Sequence, residues 1–515
     1  MNAPQTPSPP FATVPDALAA HAAQRPAGLV LSAGDEQLSY GELAELVRAM
    51  ASNLAGLGVR SGDRVAILGS NSIEWVVAFL ATLELGAVVV PLNHRLGRAE
   101  LAHQLELVRA RVVLHDAALS EQAARAAGTA VCRTLDRAPG DRRSIWIATP
   151  GPGRNAALAA DAPALISFTS GSTGRPKGAL ISHRALTVAA NAYAHVLATT
   201  EADSTLVLVP LFHNTGFCDQ VAHMLLVGGS IDLLPEFSKA VARDALVRRP
   251  ASYLIAVPGI LRLLALSPDA DRIFRDCRLA CYGGSPMPSA WIEELAARWP
   301  ALGLYNCYGL TEFTSVSHML EPSDLPEHHG SVGRPVPGVE QQIVDADGRP
   351  LPAGSPGQLM LAGPSRMLRY WAAPDRTRET LRGRWLMTGD VGSVTADGHL
   401  QLLGRASEVI NRGGEKISPL QVEAAISLDP SVADVAVLGA PHPIFGERVV
   451  AFVTLRDRAE LDEPSVRTAL HESIADYAIP ERFFVLDELP RNAAGKVDRH
   501  ELRSHAEAEL AAVRS

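Results

Sequence analysis

At 515 residues the chain is too long for one typical core, and 47% hydrophobic residues are enough to bury more than one. Its formal charge of -9, from 47 Lys+Arg against 56 Asp+Glu, excludes the electrostatic footprint of a nucleic-acid or anionic-membrane binder, so a polyanionic ligand must meet local cations. The cysteines Cys132, Cys218, Cys277, Cys281 and Cys307 are odd in number and show no C-x-x-C spacing. That argues against a disulfide framework or a zinc site and fits a reducing cytoplasm.

Residues 1–14 are proline-rich and lack the basic start and apolar core of a signal peptide. Ser39-Tyr40-Gly41-Glu42 reads as a capping box, and Leu43, Leu46, Val47, Met50, Leu54 and Leu57 follow at helical spacing until Gly58 stops the run. Residues 64–68 and 87–90 are continuous apolar runs bounded by turn residues, the pattern of strands buried on both faces of a parallel sheet. Residues 75–92 approach the length of a membrane span, but Glu84, Gly86 and Pro91 interrupt them, which predicts a buried helix and then a buried strand. Helices and strands alternate through the first three fifths of the chain, predicting an α/β architecture. Residues 133–161 read as a connector rich in Pro, Gly, Arg and Ala.

A strand over 164–168 leads into Thr169-Ser170-Gly171-Ser172-Thr173-Gly174-Arg175-Pro176-Lys177-Gly178, and a helix is expected to begin near Ser182. Glycines let backbone N–H groups converge on one concavity, hydroxyls add short donors, and Lys177 supplies a cation: a loop built for phosphate. It is not a P-loop, because Pro176 precedes Lys177 and Gly178 follows it. From 332 to 403 the texture changes to short alternating strands, predicting a small antiparallel barrel or sheet. Beyond it, a helix near 419–426, strands at 435–438 and 449–455, a helix near 465–474 and a last helix after Asp498 predict a separate α+β unit.

Further motifs sit at the ends of the predicted strands. Pro210-Leu211-Phe212-His213-Asn214 places an imidazole after an apolar run, and Tyr282-Gly283-Gly284-Ser285 offers a close backbone approach to a flat ligand. Tyr305-Asn306-Cys307-Tyr308-Gly309-Leu310-Thr311-Glu312 combines an aromatic face, an amide, a hydroxyl and a hard carboxylate, suited to a base, a phosphate and magnesium. Trp385-Leu386-Met387-Thr388-Gly389-Asp390 ends in a carboxylate fit for a ribose diol. Each alone is compatible with a tight turn.

Together, in this order, these segments resemble the motifs of the adenylate-forming superfamily, and specifically an AMP-forming acyl-CoA synthetase. The resemblance runs from Leu38 to Lys496. It implies a large N-terminal α/β domain (1–404) of two sheet-and-helix subdomains plus a small β-barrel, a hinge (405–408) and a mobile α+β C-terminal domain (409–515). It implies that Thr169, Ser170, Gly171, Ser172, Thr173, Gly174 and Lys177 hold ATP phosphates. By the same resemblance Gly283, Gly284, Ser285, Asn306, Cys307, Tyr308 and Gly309 line the adenine site, with Tyr308 stacking on the base and Asn306 bonding its edge. Thr311 would meet the α-phosphate, Glu312 would hold Mg²⁺, Asp390 the ribose and Arg405 the ribose and phosphates. His213 would line the carboxylate pocket, Gly413 and Gly414 a pantetheine tunnel, and Lys496 would bridge the acid and the α-phosphate.

The implied reaction has two halves. A carboxylic acid attacks MgATP to give acyl-AMP and pyrophosphate, and after a swing of the small domain the CoA thiol displaces AMP. The resemblance also admits a carrier protein as acceptor and a homodimer; it implies neither nucleic acid nor a membrane span. The hinge reads Gly404-Arg405-Ala406-Ser407-Glu408 where the family has G-R-x-K-D, Gln358 replaces Glu, and Arg369 replaces Gly. These departures leave open an enzyme weighted towards thioesterification, for instance of an aromatic or terpenoid acid. Residues 214–226 with Cys281, Tyr282, Val316 and Ser317 read as mostly apolar, predicting a hydrophobic acid; amino acids are disfavoured because 213–215 hold no Asp and Asp219 lies further on. A luciferase-like oxygenase shares the motifs. A non-catalytic adenylate-binding module is disfavoured by the presence of Lys177, Glu312, Asp390 and Lys496 together.

Overall fold

The computed structural model describes residues 8–137, 144–147, 151, 158–169, 176–285, 287–328, 330–406, 408–412, 415–456, 459–491 and 496–512. They form a mixed α/β molecule with a large N-terminal and a small C-terminal domain.

Ser39 caps the helix Tyr40–Gly56 with both halves of the capping box in place, as its sequence predicts. Behind it the helix Ile73–Glu84 is buried almost all round, and the strand Val88–Leu92 that follows is buried on both faces. The interrupted apolar run is therefore core, and no described helix is long and apolar enough to cross a membrane. Strands Val88–Leu92 and Arg64–Leu68 pair in parallel at the centre of a seven-stranded sheet, which continues through Val112–His115 to Val131–Thr134 on one side. On the other side lie Pro163–Thr169, Lys177–Ser182 and Arg369–Tyr370. A nine-stranded sheet has the parallel strands Leu29–Ala33, Ser230–Leu233, Ser204–Val207, Tyr253–Ala256, Leu279–Gly283 and Gly303–Gly309 at its centre.

Helices between the two sheets join them into one core. Phe79 stacks on Trp75 and tilts against Phe217, with ring centroids 5.5 and 5.6 Å apart. Phe79 and Phe217 are fully buried, and each contributes about 2 kcal/mol relative to exposure. The carboxyl ends of the parallel strands, where loops are free to carry ligand groups, bear the Gly283 and Tyr308 segments.

Residues Glu340–Val344, Gly357–Ala362, Leu381–Arg382, Trp385–Val394 and Leu400–Arg405 pair as an antiparallel sheet. The C-terminal part holds a five-stranded sheet dominated by the hairpin Val432–His442 and Gly446–Leu455, covered by the helices Pro419–Ile426, Glu463–Ser473 and Arg499–Ala512. All five cysteines are free.

Candidate active site

The segment expected to cradle phosphate joins two strands that pair antiparallel. Strand Pro163–Thr169 returns as Lys177–Ser182, with Thr169 opposite Lys177, before Ser182 caps the helix His183–Val196. The returning strand was not anticipated, because Ala179-Leu180-Ile181 reads equally as the approach to a helix. Ser170, Gly171, Ser172, Thr173 and Gly174 lie outside the described residues, as do Gly413 and Gly414. At Gly178 a Cβ would fall 2.6 Å from Ile166 Cγ2, so a larger residue there would have to displace the Ile166 side chain.

Lys177 Nζ lies 5.6 Å from the ring centroid of Tyr370, a cation–π contact. Tyr370 pairs with Ala179 across the sheet edge, and its hydroxyl donates to Glu312 Oε1 at 2.7 Å. Burial, reinforced by the Glu312 charge, pushes the Tyr370 phenol up, which keeps it a donor. Glu312 stands on the short helical turn Thr311–Phe313, anchored by fully buried Phe313 and by the Met367 N–H, which donates to the Glu312 carbonyl at 2.8 Å. Just before it, a Cβ on Gly309 would meet the Ser315 carbonyl at 1.9 Å; this close approach folds the turn back on itself.

A second chain of contacts crosses from the nine-stranded sheet to the strand before the expected hinge. The Tyr308 hydroxyl donates to Asp390 Oδ2, and Arg405 Nε donates to Asp390 Oδ1 at 2.9 Å. Asp390 and Arg405 face each other in register on Trp385–Val394 and Leu400–Arg405. Asp390 is 6% exposed, and burial raises its carboxyl while Arg405 and the Tyr308 hydroxyl pull it back. Asn306 spends its amide N–H on the Ser331 carbonyl at 2.9 Å, leaving its side-chain oxygen to accept. Cys307 alternates inward to the core, so only its backbone faces the neighbouring strand, where a Cβ on Gly283 would meet its carbonyl at 2.4 Å. Gly284, at φ +79°, turns the chain so that Ser285 is exposed beside it.

His213 sits at the N-terminus of the turn Asn214–Gly216. Ser167 donates to Asn214 Oδ1 at 2.7 Å and Asn214 Nδ2 donates to the Thr314 carbonyl, which ties His213 to both the hairpin and the Glu312 turn. The imidazole keeps some solvent contact, yet enclosure by protein, aided by Lys496 and Arg95, lowers its pKa to about 4. It is therefore a neutral ring at physiological pH.

Lys496 comes from the C-terminal part and faces this site. Crowding around its ammonium, with Arg405 adding to it, lowers its pKa, while Glu408, Asp390 and Glu312 oppose the shift; the residue as a whole remains solvent-exposed. Thr169, Lys177, His213, Tyr308, Thr311, Glu312, Asp390, Arg405 and Lys496 thus converge on one cleft.

Most of the residues read as apolar on the acid side, among them Phe217, Val221, Ala222, Met224, Leu225, Cys281 and Val316, do join the hydrophobic core. Tyr282 turns away into a second cluster with Leu254, Ala256 and Leu261, because alternation along its strand sends Cys281 and Tyr282 to opposite faces. Among the apolar residues of this region lie the buried polar side chains Asp219, His223 and Ser315, with Ser315 donating to Asp219. Tyr370 is a residue to which the sequence assigned no role, and Asp219 was weighed only in disfavouring amino acids. The neighbouring departure at Arg369 was a signal for the first; a lone carboxylate in an apolar stretch marked the second.

Residues 18–371 match the family model described as AMP-binding enzyme, and 421–496 match its companion, AMP-binding enzyme C-terminal domain. The chain is 33% identical to a feruloyl-CoA synthase of Amycolatopsis over 478 residues, covering 91% of this chain and 94% of that protein. It is equally 33% identical to a sulfoacetate–CoA ligase of Cupriavidus necator over 513 residues, covering 96% and 98%. Among solved structures, an o-succinylbenzoate CoA synthetase from Bacillus subtilis in complex with its acyl-adenylate intermediate superposes with a TM-score of 0.84 at 29% identity, over 95% of this chain and 98% of that one. An anthranilate CoA ligase in complex with anthranoyl-AMP gives 0.87 at 26%, over 97% and 98%.

Proposed function

This chain belongs to the AMP-binding enzyme family, and from that premise we propose how its cleft performs the family's reaction. The protein is an acyl-CoA ligase: it activates a carboxylic acid with ATP as an acyl-adenylate and passes the acyl group to CoA. The observation that carries the assignment of roles is the convergence of Lys177, Glu312, Asp390, Arg405 and Lys496, drawn from both domains, on one cleft.

Asp390 receives the ribose diol. Tyr308 and Arg405 take one site on each of its oxygens, and an ionised carboxylate has about four acceptor sites, so room remains for two hydroxyls. Tyr308 and the Asn306 side-chain oxygen face the base. Glu312 offers a hard oxygen donor, held in place by Tyr370, to the Mg²⁺ that accompanies ATP; when bound, that ion neutralises phosphate charge. Lys177 and Lys496, one from each domain, would neutralise phosphate charge, and the neutral His213 ring would orient the acid. The catalytic work is positioning and charge neutralisation at the α-phosphorus, without a protein nucleophile.

Lys496 faces the cleft in the arrangement suited to adenylation. This supports an enzyme that performs both halves of the reaction, with residues 405–408 as the hinge between domains 1–404 and 409–515. CoA is the inferred acceptor, in preference to a carrier protein, and five free cysteines support a cytoplasmic location. The test is acid-dependent release of AMP and pyrophosphate in the presence of CoA, scanned over an acid panel. ADP as the product would refute the reading.

A further inference from the structure

The helix that leaves His213 does not run on as a regular α-helix. After Asn214–Gly216 it widens into a π-helical turn over Phe217–Ala222 and resumes as His223–Val227. Such turns are rare and recur at functional sites. The middle of this one carries Asp219, 2% exposed.

Asp219 is fixed from several directions. Its carbonyl accepts from the Tyr253 hydroxyl at 3.2 Å and from His223 Nδ1 at 3.1 Å. The His223 ring is neutral, its pKa lowered by burial to about 4, so the proton on Nδ1 leaves Nε2 to accept from the Thr199 hydroxyl at 2.6 Å. The Asp219 side chain accepts from the Ser315 hydroxyl through Oδ2 at 2.7 Å, three positions beyond Glu312. The other oxygen, Oδ1, is buried and has no hydrogen-bond partner among the described residues. Burial lifts the carboxyl to about 7 even though Ser315, Tyr193, Cys218 and Thr215 favour its charged form. Tyr193, Tyr253 and Cys281 all lie within its field. Cys281 is on the strand that ends at Gly283, and Ser315 follows the Glu312 turn, so the carboxyl lies close to both segments.

A buried acceptor left unpaired costs roughly 1–3 kcal/mol, and a rare backbone conformation adds to that cost. Both are understandable if a ligand supplies the missing donor. Asp219 lies six positions beyond His213, about 9 Å at 1.5 Å per residue. One six-membered ring and a hydrogen bond would span that distance from a carboxylate held at His213.

We propose that Asp219 selects the acid: the substrate carries a hydroxyl or amino group at the end remote from its carboxylate, and that group donates to Asp219 Oδ1. This rests on the ligase reading above and narrows it. The acid is then not uniformly apolar but an aryl or similarly sized acid with a distal donor.

The test uses the full-length enzyme and matched acids, benzoates with hydroxyl, amino or methyl at the para position. The expected result is a preference in kcat/KM of at least roughly tenfold for a donor-bearing acid over its methyl partner. The hydroxyl and amino arms identify which donor it is. Asp219→Ala should lose the donor-bearing acid mainly through KM and keep the methyl acid, while Asp219→Asn, which retains an acceptor, should restore part of the preference. A wild-type enzyme that takes methyl and donor acids equally well overturns the proposal, as does an Asp219→Ala enzyme that loses both to the same degree. If the variants fail to fold, the wild-type comparison decides alone. If no acid of any class releases AMP, the ligase reading itself fails; activation without preference removes only the role of Asp219.

Discussion

The nucleotide half and the acid half of the cleft are finished to different degrees. On the nucleotide half each charged group already meets a complement: Asp390 holds Arg405 and Tyr308, Glu312 holds Tyr370, and Lys177 lies over the Tyr370 ring. On the acid half the polar groups lack charge or a complete set of partners: His213 and buried His223 are held neutral, and buried Asp219 keeps an open oxygen. Preorganised charge suits a ligand that is the same in every turnover, whereas an open acceptor suits a ligand that has to be chosen.

The largest expected effect separates the two halves through the residue that bridges them. Lys496→Ala should slow adenylate formation, followed by acid-dependent pyrophosphate exchange, by on the order of 10²–10³-fold, while sparing thioesterification of supplied acyl-AMP. Equal losses in both steps would erase the distinction. Next, Asp390→Ala should raise KM for ATP by roughly tenfold to a hundredfold, because it removes a charged acceptor and strands Arg405; KM for the acid should hardly move. A matching rise for the acid would show that the halves are not separable. Tyr370→Phe removes a charge-assisted hydrogen bond to the Glu312 carboxylate and should weaken Mg²⁺ dependence by about tenfold, read from a magnesium titration of activity.

The smallest effect is on stability. His223 and His318 are fully buried with pKa values lowered to about 4, so between about 4 and the ordinary 6.5 the unfolded chain binds two protons that the folded chain refuses. Asp219, raised to about 7, does the reverse with one proton. Two against one leaves the unfolded state with more protons, so these groups make stability rise with pH across that window, by roughly 1.4 kcal/mol per unit near its middle. Asp219→Asn removes the opposing proton and should steepen the slope, measured by denaturant unfolding at successive pH values. An unchanged slope would show that Asp219 is ionised when folded.

Much of this was legible in sequence where the rule is local. The capping box at Ser39, the buried run ahead of Pro91 and the helix start at Ser182 each follow from residues within a few positions of one another. The motif residues of the nucleotide half were legible as a set, but their pairing was not, because Tyr308 and Asp390 are 82 positions apart and Tyr370 and Glu312 are 58 apart. The acid half was legible in composition but not in direction. Composition counted 214–226 as apolar, whereas only the π-helical turn and strand alternation decide that Asp219 points inward and Tyr282 away.

The central claim is attack of the acid's carboxylate on the α-phosphorus, and a labelled carboxylate tests it most directly. With the best acid of the panel carrying heavy oxygen in its carboxyl group, a single turnover with ATP and CoA should place one labelled oxygen in AMP and leave pyrophosphate unlabelled. Label in inorganic phosphate, with ADP as the nucleotide product, would contradict the account.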